Sequence, residues 1–218
     1  MLGIDFSNNT IFYDPSITYT PWVKYDGTSY GNASPSAAPY HPANSGAGTL
    51  NLTSQQSLTA NWISGTSLTN GASQCGWSGT CSHSFWPITY YVYKGGSLSK
   101  TAAASYTKYQ IQGNKGYATD LATGTTTTIS GTFPSGRSVA DEAQNFANWF
   151  SYYRSRTLAA RAGSSIAFSK LGINYRVGFT TINTSDFGDA IPTSGVFDGT
   201  NRQKIGRASC RERVSSPV

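Results

Sequence analysis

Cys75 and Cys81 are the residues whose type and spacing most directly suggest chemistry, and they bracket the sequence C-G-W-S-G-T-C. The spacing is too wide for C-x-x-C redox chemistry, and no second cysteine pair completes a zinc site. It favours a small loop closed by a Cys75–Cys81 disulfide, with two free thiols as the alternative. Trp77 lies within this loop, either as an exposed contact residue or as a lid on the core.

The two histidines, His41 and His83, are candidates for acid–base or metal chemistry, but neither stands beside a nucleophile or at a metal-ligand spacing. The sequence also has no G-x-S-x-G nucleophile elbow, no G-x-x-x-x-G-K-S/T phosphate loop and no G-x-G-x-x-G dinucleotide fingerprint. We therefore expect both histidines to be ordinary surface or packing residues, and we expect no catalytic residues and no enzymatic activity.

Asp5, Ser7 and Asn9 stand at the spacing of the D-x-S-x-S motif of von Willebrand A domains, in which a carboxylate and two hydroxyls bind a divalent cation. The motif is incomplete because Asn9 replaces the last serine, and no long apolar strand precedes Asp5. We expect a solvated turn here, so the sequence predicts no metal site and no cofactor in this chain.

The composition is poor in charge. The chain has 218 residues, enough for a buried core, and charged residues make up only 12% of it. An average soluble domain contains about 25%. Gly, Tyr and Phe are abundant instead, with 23, 14 and 10 residues. This composition excludes a charged disordered tail, a coiled coil and an ordinary cytosolic helical enzyme, and it is typical of a β-rich extracytoplasmic protein.

The net charge of +6 is the feature that would suggest nucleic-acid binding. Half of this excess lies in residues 204–214, and the rest is spread thinly over the preceding sequence. No basic stripe follows from this distribution, so we expect no nucleic-acid partner. The sequence also has no run of apolar residues long enough to span a bilayer as a helix.

Residues 1–134 are predicted to be rich in short strands and loops. β-branched and aromatic residues bounded by Pro or Gly mark the strand candidates, which are 11–13, 17–19, 88–93 and Tyr106–Gln112. Residues 28–48 have a turn-forming composition without a period and are expected to be a loop. The threonine-rich run 125–130 fits an edge strand or a linker equally well.

A single helix is predicted after Ala140. One face carries apolar or small residues at alternating steps of four and three, namely Phe146, Phe150, Tyr153, Thr157, Ala160, Ser164 and Ala167. Ser138 is placed to cap the N-terminus, and Lys170 and Gly172 are placed to end the helix. Residues 176–183, R-V-G-F-T-T-I-N, have the composition of a strand, which would complete one α/β step of an open parallel sheet.

The side chains of this helix are expected to be structural. Its large aromatic residues are Phe146, Trp149, Phe150, Tyr152 and Tyr153. Each contributes on the order of 2 kcal/mol when buried, and together they should cover one face of a sheet. Asp141 and Glu142 lie in the first turn, where the helix dipole favours acidic groups. Arg154 and Arg156 are expected to pair with acidic groups at the surface or with the β-rich region 1–134, or to remain solvated.

Three segments of the chain resemble one protein family. They are F-Y-D-P-S-I-T-Y-T-P-W at 12–22, W-P-I-T-Y-Y-V-Y at 86–93 and E-A-Q-N-F-A-N-W-F-S-Y-Y-R-S-R at 142–156, the last followed by R-V-G-F-T-T-I-N. In this order they resemble the amino-terminal half of the PilC/PilY family. Members of that family are large type IV pilus biogenesis factors and tip adhesins of Gram-negative bacteria.

The resemblance implies an α/β fold class, with an incomplete von Willebrand A-like (Rossmann-like) unit that carries a large β-rich insertion. It divides the chain into the insertion at 1–134, the helix–strand part of the von Willebrand A-like domain at 135–203, and a tail at 204–218. The family's complete metal motif and its calcium-binding carboxy-terminal β-propeller are not visible in this sequence. The resemblance therefore implies an internal fragment, with Ca²⁺ or Mg²⁺ expected only in the full-length parent.

The tail has a resemblance of its own. Residues 205–214, I-G-R-A-S-C-R-E-R-V, are similar to the translation of a sequencing-adapter oligonucleotide. On this interpretation the authentic sequence ends near Gln203, and Cys210 is an artefact. The alternative is a genuine basic tail.

The resemblance implies a non-enzymatic type IV pilus assembly and adhesion protein, located in the periplasm, outer membrane or pilus tip of a Gram-negative bacterium. Its partners would be pilus assembly proteins and minor pilins, together with a host or surface receptor contacted by loops rich in Tyr, Ser and Asn. The alternative is a secreted β-rich carbohydrate-binding or hydrolytic domain, in which exposed Trp22, Trp62, Trp77 and Trp86 would stack on sugars. Metal-dependent adhesion is a narrower hypothesis, which predicts stabilisation by Mg²⁺ or Ca²⁺.

Overall fold

The computed structural model describes residues 5–7, 9–61, 80–178, 197–199 and 202–203, with the backbone alone at 58–61 and 80–83. The strands within these residues are β1 (Ala38–Pro39), β2 (Thr49–Leu50), β3 (Gln56–Asn61), β4 (Thr80–Phe85), β5 (Thr89–Tyr93), β6 (Tyr106–Gln112), β7 (Lys115–Asp120) and β8 (Thr126–Ile129). The helices are α1 (Val139–Tyr152) and α2 (Arg156–Ser169). Neither of these helices is long and apolar enough to cross a membrane.

The chain divides into two compact units, each built from separate stretches of sequence. The sheet unit comprises Met1–Asn9 and Asn51–Ala143, and the helical unit comprises Thr10–Leu50 and Gln144–Val218. The boundary falls within α1, so that its first turns belong to the sheet unit and its remainder to the helical unit.

The sheet unit contains a four-stranded antiparallel sheet in the chain order β5-β6-β7-β8. It confirms the strands predicted at 88–93 and Tyr106–Gln112, and it identifies the threonine-rich run as the edge strand β8. A two-residue turn joins β6 to β7, and its first residue, Gly113, has a φ of 64°, which favours glycine. β3 and β4 form a separate antiparallel pair.

Every strand pair within the described residues is antiparallel. The parallel sheet of the expected von Willebrand A-like unit depends on residues 176–183, of which only 176–178 are described, and these three are not in a strand. Val177 packs there against the buried ring of Phe197. The α/β fold class therefore stays a prediction.

The core of the sheet unit is centred on Phe133, which is 2% exposed. Its ring centroid lies 6.5 Å from that of Tyr90 and 6.1 Å from that of Tyr109. Gly116 on β7 leaves room for this ring, since a Cβ atom there would lie 2.9 Å from Phe133 Cζ and 3.3 Å from Ile129 Cβ. A side chain at Gly116 would therefore overlap the packed core.

The first turn of α1 is anchored by a buried carboxylate. Glu142 is fully buried, and it accepts hydrogen bonds from the Tyr90 hydroxyl at 2.8 Å and the Ser135 hydroxyl at 2.7 Å. Arg137 forms an ion pair with the same carboxylate, with Nη1 at 3.4 Å from Glu142 Oε2. Glu142 thus has a tertiary role beyond the dipole interaction expected from sequence. The predicted cap is confirmed, because Ser138 Oγ accepts from the Asp141 amide at 3.2 Å.

The prediction of a single long helix is wrong, because the chain turns between α1 and α2. The indole of Trp22 donates to the Tyr152 carbonyl at 3.0 Å, and Arg154 Nη1 donates to the Phe150 carbonyl at 2.6 Å. The last carbonyls of an α-helix lack intrahelical partners, and these two donors bind such carbonyls where α1 ends. Ser155 then starts α2, since its hydroxyl accepts from the Leu158 amide at 3.2 Å.

The predicted apolar face does not continue into α2. Thr157 and Ala160 are exposed, and the buried residues are Leu158, Arg161 and Ala162. The four-and-three spacing holds only within one continuous helix. Because the chain breaks between α1 and α2, a spacing counted from α1 does not identify the buried residues of α2.

The strands predicted at 11–13 and 17–19 are also wrong, since both segments are irregular. Residues 28–48 are mostly loop as predicted, with the two-residue strand β1 and a 3₁₀ turn at Ser45–Ala47. The helical unit therefore contains a long stretch of irregular backbone whose polar groups need partners outside any sheet.

Replacing Gly116 with alanine should destabilise the protein by on the order of 1 to 3 kcal/mol, because Phe133 and Ile129 already fill the space. Gly163 provides a matched control, since it lies within α2 and a Cβ atom there would meet no atom within 4 Å apart from its chain neighbours and its own helix backbone. We expect Gly163→Ala to stabilise the protein by about 0.5–1 kcal/mol, because alanine is the better helix former. Urea unfolding of both variants measures the difference. Equal stability of the two variants would contradict the packing at Gly116.

Candidate functional site

Three side-chain amides on α1 bind the backbone of the irregular segment 11–33. We call Gln144, Asn145 and Asn148 the amide clamp, and residues 11–33 the clamped segment. Asn145 and Asn148 are 4% and 5% exposed, so their hydrogen bonds form away from bulk water. Their spacing of three residues places both on one face of the helix.

Asn145 uses both ends of its amide. Its Oδ1 accepts from the Tyr19 backbone amide at 2.8 Å. Its Nδ2 donates to the Ile17 carbonyl at 2.8 Å and to the Tyr13 hydroxyl at 2.9 Å. One side chain therefore serves a backbone donor and a backbone acceptor two residues apart, as a neighbouring strand would do.

Asn148 repeats the arrangement further along the helix. Its Oδ1 accepts from the Ala33 amide at 3.0 Å, and its Nδ2 donates to the Tyr19 carbonyl at 2.9 Å and to Asn32 Oδ1 at 3.0 Å. Gln144 Nε2 donates to the Ala33 carbonyl at 2.7 Å. Both backbone polar groups of Tyr19 and of Ala33 are thus bound by side chains of the clamp.

Aromatic side chains of the same region supply further donors to the clamped segment. Trp149 Nε1 donates to the Ile11 carbonyl at 3.0 Å, and the Tyr152 hydroxyl donates to the Gly31 carbonyl at 2.7 Å. Burial, together with the neighbouring Tyr153, raises the pKa of Tyr152 to about 12. The Tyr152 phenol therefore remains a hydrogen-bond donor at physiological pH.

The aromatic residues that we expected to be structural lie around the clamp. Phe146 and Trp149 are buried, whereas Phe150 and Tyr153 are half-buried. The ring of Tyr13, from the clamped segment, lies 4.8 Å from Phe146 and 5.8 Å from Trp149 between centroids. These rings therefore pack against the clamped segment, which is a loop, whereas the sequence predicted that they would cover one face of a sheet.

Arg154 contacts the region 1–134 through Tyr40, which is one of the arrangements expected from sequence. Its guanidinium carbon lies 4.4 Å from the Phe150 ring centroid and 5.5 Å from that of Tyr40. Its Nη2 also donates to the Tyr40 carbonyl at 2.8 Å. Burial lowers the pKa of this guanidinium. Arg154 is thus held by aromatic faces and carbonyl oxygens.

The other candidate residues lie apart from the clamp or outside the described residues. Cys75 and the Cys81 side chain are outside them, as are Trp62, Trp77 and the His83 side chain. The prediction of a solvated turn at Asp5 is wrong, because this carboxylate is fully buried and accepts a hydrogen bond from Ser7. In the described part of the chain, no group of three His, Cys, Asp or Glu residues is arranged to hold a metal ion.

The clamp fixes the shape of a loop, and it contains no nucleophile or acid–base pair. Ile17 and Tyr25 of the clamped segment are 47% and 41% exposed. Lys24 lies over the Tyr30 ring, with Nζ 5.6 Å from the centroid. An irregular segment held rigidly while it exposes apolar and aromatic side chains is suited to recognition, because little conformational entropy is lost on contact. The signal for the clamp in the sequence is N-F-A-N at 145–148.

Asn148→Asp tests the clamp with little change in shape. Aspartate keeps the acceptor for the Ala33 amide, but it loses the two donors and places a charge beside the Tyr19 carbonyl. We expect a loss of on the order of 3 kcal/mol in the free energy of unfolding at pH 7, measured by urea denaturation.

Asn44→Asp is the matched control for this substitution. Asn44 is exposed, and its side chain acts only as an acceptor, from the Gly46 amide at 3.0 Å. Aspartate keeps that bond, so Asn44→Asp should change stability by less than about 0.5 kcal/mol. If Asn148→Asp is as stable as Asn44→Asp, the clamp does not hold the segment.

Comparison with known proteins relates part of the chain to one pilus protein. Over 100 residues, 45% of this chain, it is 32% identical to the type IV pilus biogenesis factor PilY1 of Pseudomonas aeruginosa strain PAK. Over 46 residues, 21% of this chain, it is 44% identical to the type IV pilus biogenesis factor PilY1 of Pseudomonas aeruginosa strain PAO1. These stretches span only 6% and 4% of the two relatives. No family model and no solved structure matches the chain. The chain is thus similar to PilY1 over part of its length.

Proposed function

We propose that this chain is part of a non-enzymatic type IV pilus assembly and adhesion factor. The similarity to two PilY1 proteins, which are named as pilus biogenesis factors, supports a role in pilus biogenesis. The proposed partners are pilus assembly proteins and minor pilins, and the proposed location is the cell envelope or the pilus tip. The von Willebrand A-like unit, and a divalent cation bound in the complete parent, belong to the same proposal.

The observation that carries the adhesion part of the proposal is the exposed surface of the clamped segment. Ile17 is 47% exposed although its carbonyl is bound by Asn145. Tyr25 is 41% exposed at a turn of the same segment. Tyrosine provides large contact area at low entropic cost, and a pre-formed loop pays little to present it. We propose that this surface contacts the receptor or the substratum.

The carbohydrate-binding alternative loses one of its four stacking residues. Trp22 is 1% exposed and donates its indole proton to the Tyr152 carbonyl, so the expectation that it is an exposed sugar platform is wrong. Trp86 is half-buried. Trp62 and Trp77 lie outside the described residues.

The test is deletion of the gene in the bacterium that encodes this chain, followed by complementation. We expect deletion to lower both the amount of pilin sheared from the cell surface and adhesion to a solid surface. The wild-type gene should restore both. A gene with Ile17→Ser and Tyr25→Ser should restore surface pili without restoring adhesion.

Leu98→Ser is the control for the adhesion variant. Leu98 is as exposed as Ile17, at 47%, but it lies in the sheet unit outside the clamped segment. Full adhesion is expected from Leu98→Ser. Unchanged piliation and adhesion after deletion would refute the pilus function, and normal adhesion of the Ile17→Ser/Tyr25→Ser variant would refute only the proposed contact surface.

A further inference from the structure

His41 occupies an unusual position in the loop that follows β1. Its ring packs edge-on against Trp22, with centroids 5.9 Å apart and an angle of 83° between the ring planes. Trp22 is itself buried and fixed by its hydrogen bond to the Tyr152 carbonyl. The His41 ring therefore has little freedom to rotate away from its neighbours.

Both ring nitrogens of His41 face hydrogen-bond donors. Nδ1 lies 3.2 Å from the Ala43 backbone nitrogen, which donates to it. Nε2 contacts Nη1 of Arg161 on α2. Arginine has no acceptor atom, so this contact is favourable only when Nε2 carries no proton. A neutral imidazole can serve one of the two donors, and a protonated imidazolium can serve neither.

The charges around His41 also oppose its protonation. Arg161, from α2, is 8% exposed, so its field is poorly screened. Arg154, from the connection between α1 and α2, is a second positive charge that acts on His41. Trp22 of the clamped segment contributes no charge, and the described residues place no carboxylate against this ring. Burial, followed by the charges of Arg161 and Arg154, lowers the pKa of His41.

We propose that His41 and Arg161 form a proton-sensitive latch, which holds the loop after β1 against α2 at neutral pH and releases it on acidification. Protonation places two cations in contact and removes the one acceptor nitrogen that the neutral ring offers to these two donors. Tyr40 precedes His41 and receives a hydrogen bond from Arg154, so movement of His41 also strains that contact. The latch does not depend on the proposed pilus function.

The direction of the pH dependence follows from linkage. His41 binds its proton less readily in the folded protein than in the unfolded chain. In the unfolded chain the histidine has its ordinary pKa of 6.5, and in the folded protein its pKa is lower. The unfolded state therefore takes up more protons as the pH falls. The contribution of neutral His41 to stability is fully present above about pH 6.5. It is lost as the pH falls from about 6.5 through the lower pKa that His41 has in the folded state.

The experiment follows both histidines of the full chain by NMR between pH 8 and pH 4. We expect the His41 ring protons to titrate with a midpoint below 6.5, and Arg161→Gln to raise that midpoint. The amides of Gly46 and Gly48, in the same loop, should shift with the same midpoint. The amides of Gly113 and Gly124, in turns of the sheet unit, should not. A His41 midpoint at or above pH 6.5 would overturn the proposal. So would Gly46 and Gly48 amides whose chemical shifts do not change with the His41 titration.

A second measurement separates His41 from other groups that titrate in acid. Thermal unfolding at pH 7.5 and pH 5.0 compares the wild type with His41→Gln, whose side-chain oxygen still accepts from Arg161 but does not titrate. His83→Gln is the matched control. We expect acidification to lower the melting temperature of the wild type and of His83→Gln more than that of His41→Gln. Equal shifts in all three proteins would refute the latch.

Discussion

The requirement that buried backbone groups have hydrogen-bond partners shapes the helical unit. The clamped segment is irregular apart from one β-bridge between Val23 and Ser29, so its buried positions Tyr19 and Ala33 receive no hydrogen bonds from a sheet ladder. Asn145 and Asn148 replace that ladder, because a carboxamide carries a donor and an acceptor side by side. The position of the loop therefore depends on two residues of a helix that is far away in sequence. Loss of either amide exposes the protein to the full desolvation cost of unpaired peptide groups.

This arrangement gives a physical meaning to the segments through which the chain resembles the PilC/PilY proteins. The segment at 12–22 lies within the clamped segment, and the segment at 142–156 contains the whole amide clamp. Aromatic rings and side-chain amides alternate along that helix, so the same turns provide apolar packing and polar recognition. The pattern of N-F-A-N-W therefore describes one half of an intramolecular interface.

Two arginines of the helical unit, Arg154 and Arg202, donate to backbone carbonyls at the ends of helices. Arg154 donates to the Phe150 carbonyl near the end of α1. Arg202 Nη2 donates to the carbonyls of Ser169 and Leu171 at the end of α2, each at 2.9 Å. Helix C-termini have unpaired carbonyls and a negative dipole, so a guanidinium satisfies both. This use of arginine suits a chain whose acidic residues are scarce.

The sequence alone determined the elements whose causes are local. β6 follows from β-branched and aromatic residues between turns, and the start of α1 follows from Ser138 and the first helical turn. The break after Tyr152 is seen only in the tertiary structure, where Trp22 donates to the Tyr152 carbonyl at the end of α1. The tertiary structure also decided that 17–19 is no strand, although its composition favours one, since Asn145 binds both Ile17 and Tyr19. Such partners are separated by more than a hundred residues, and local composition and periodicity carry no information about contacts made at that distance.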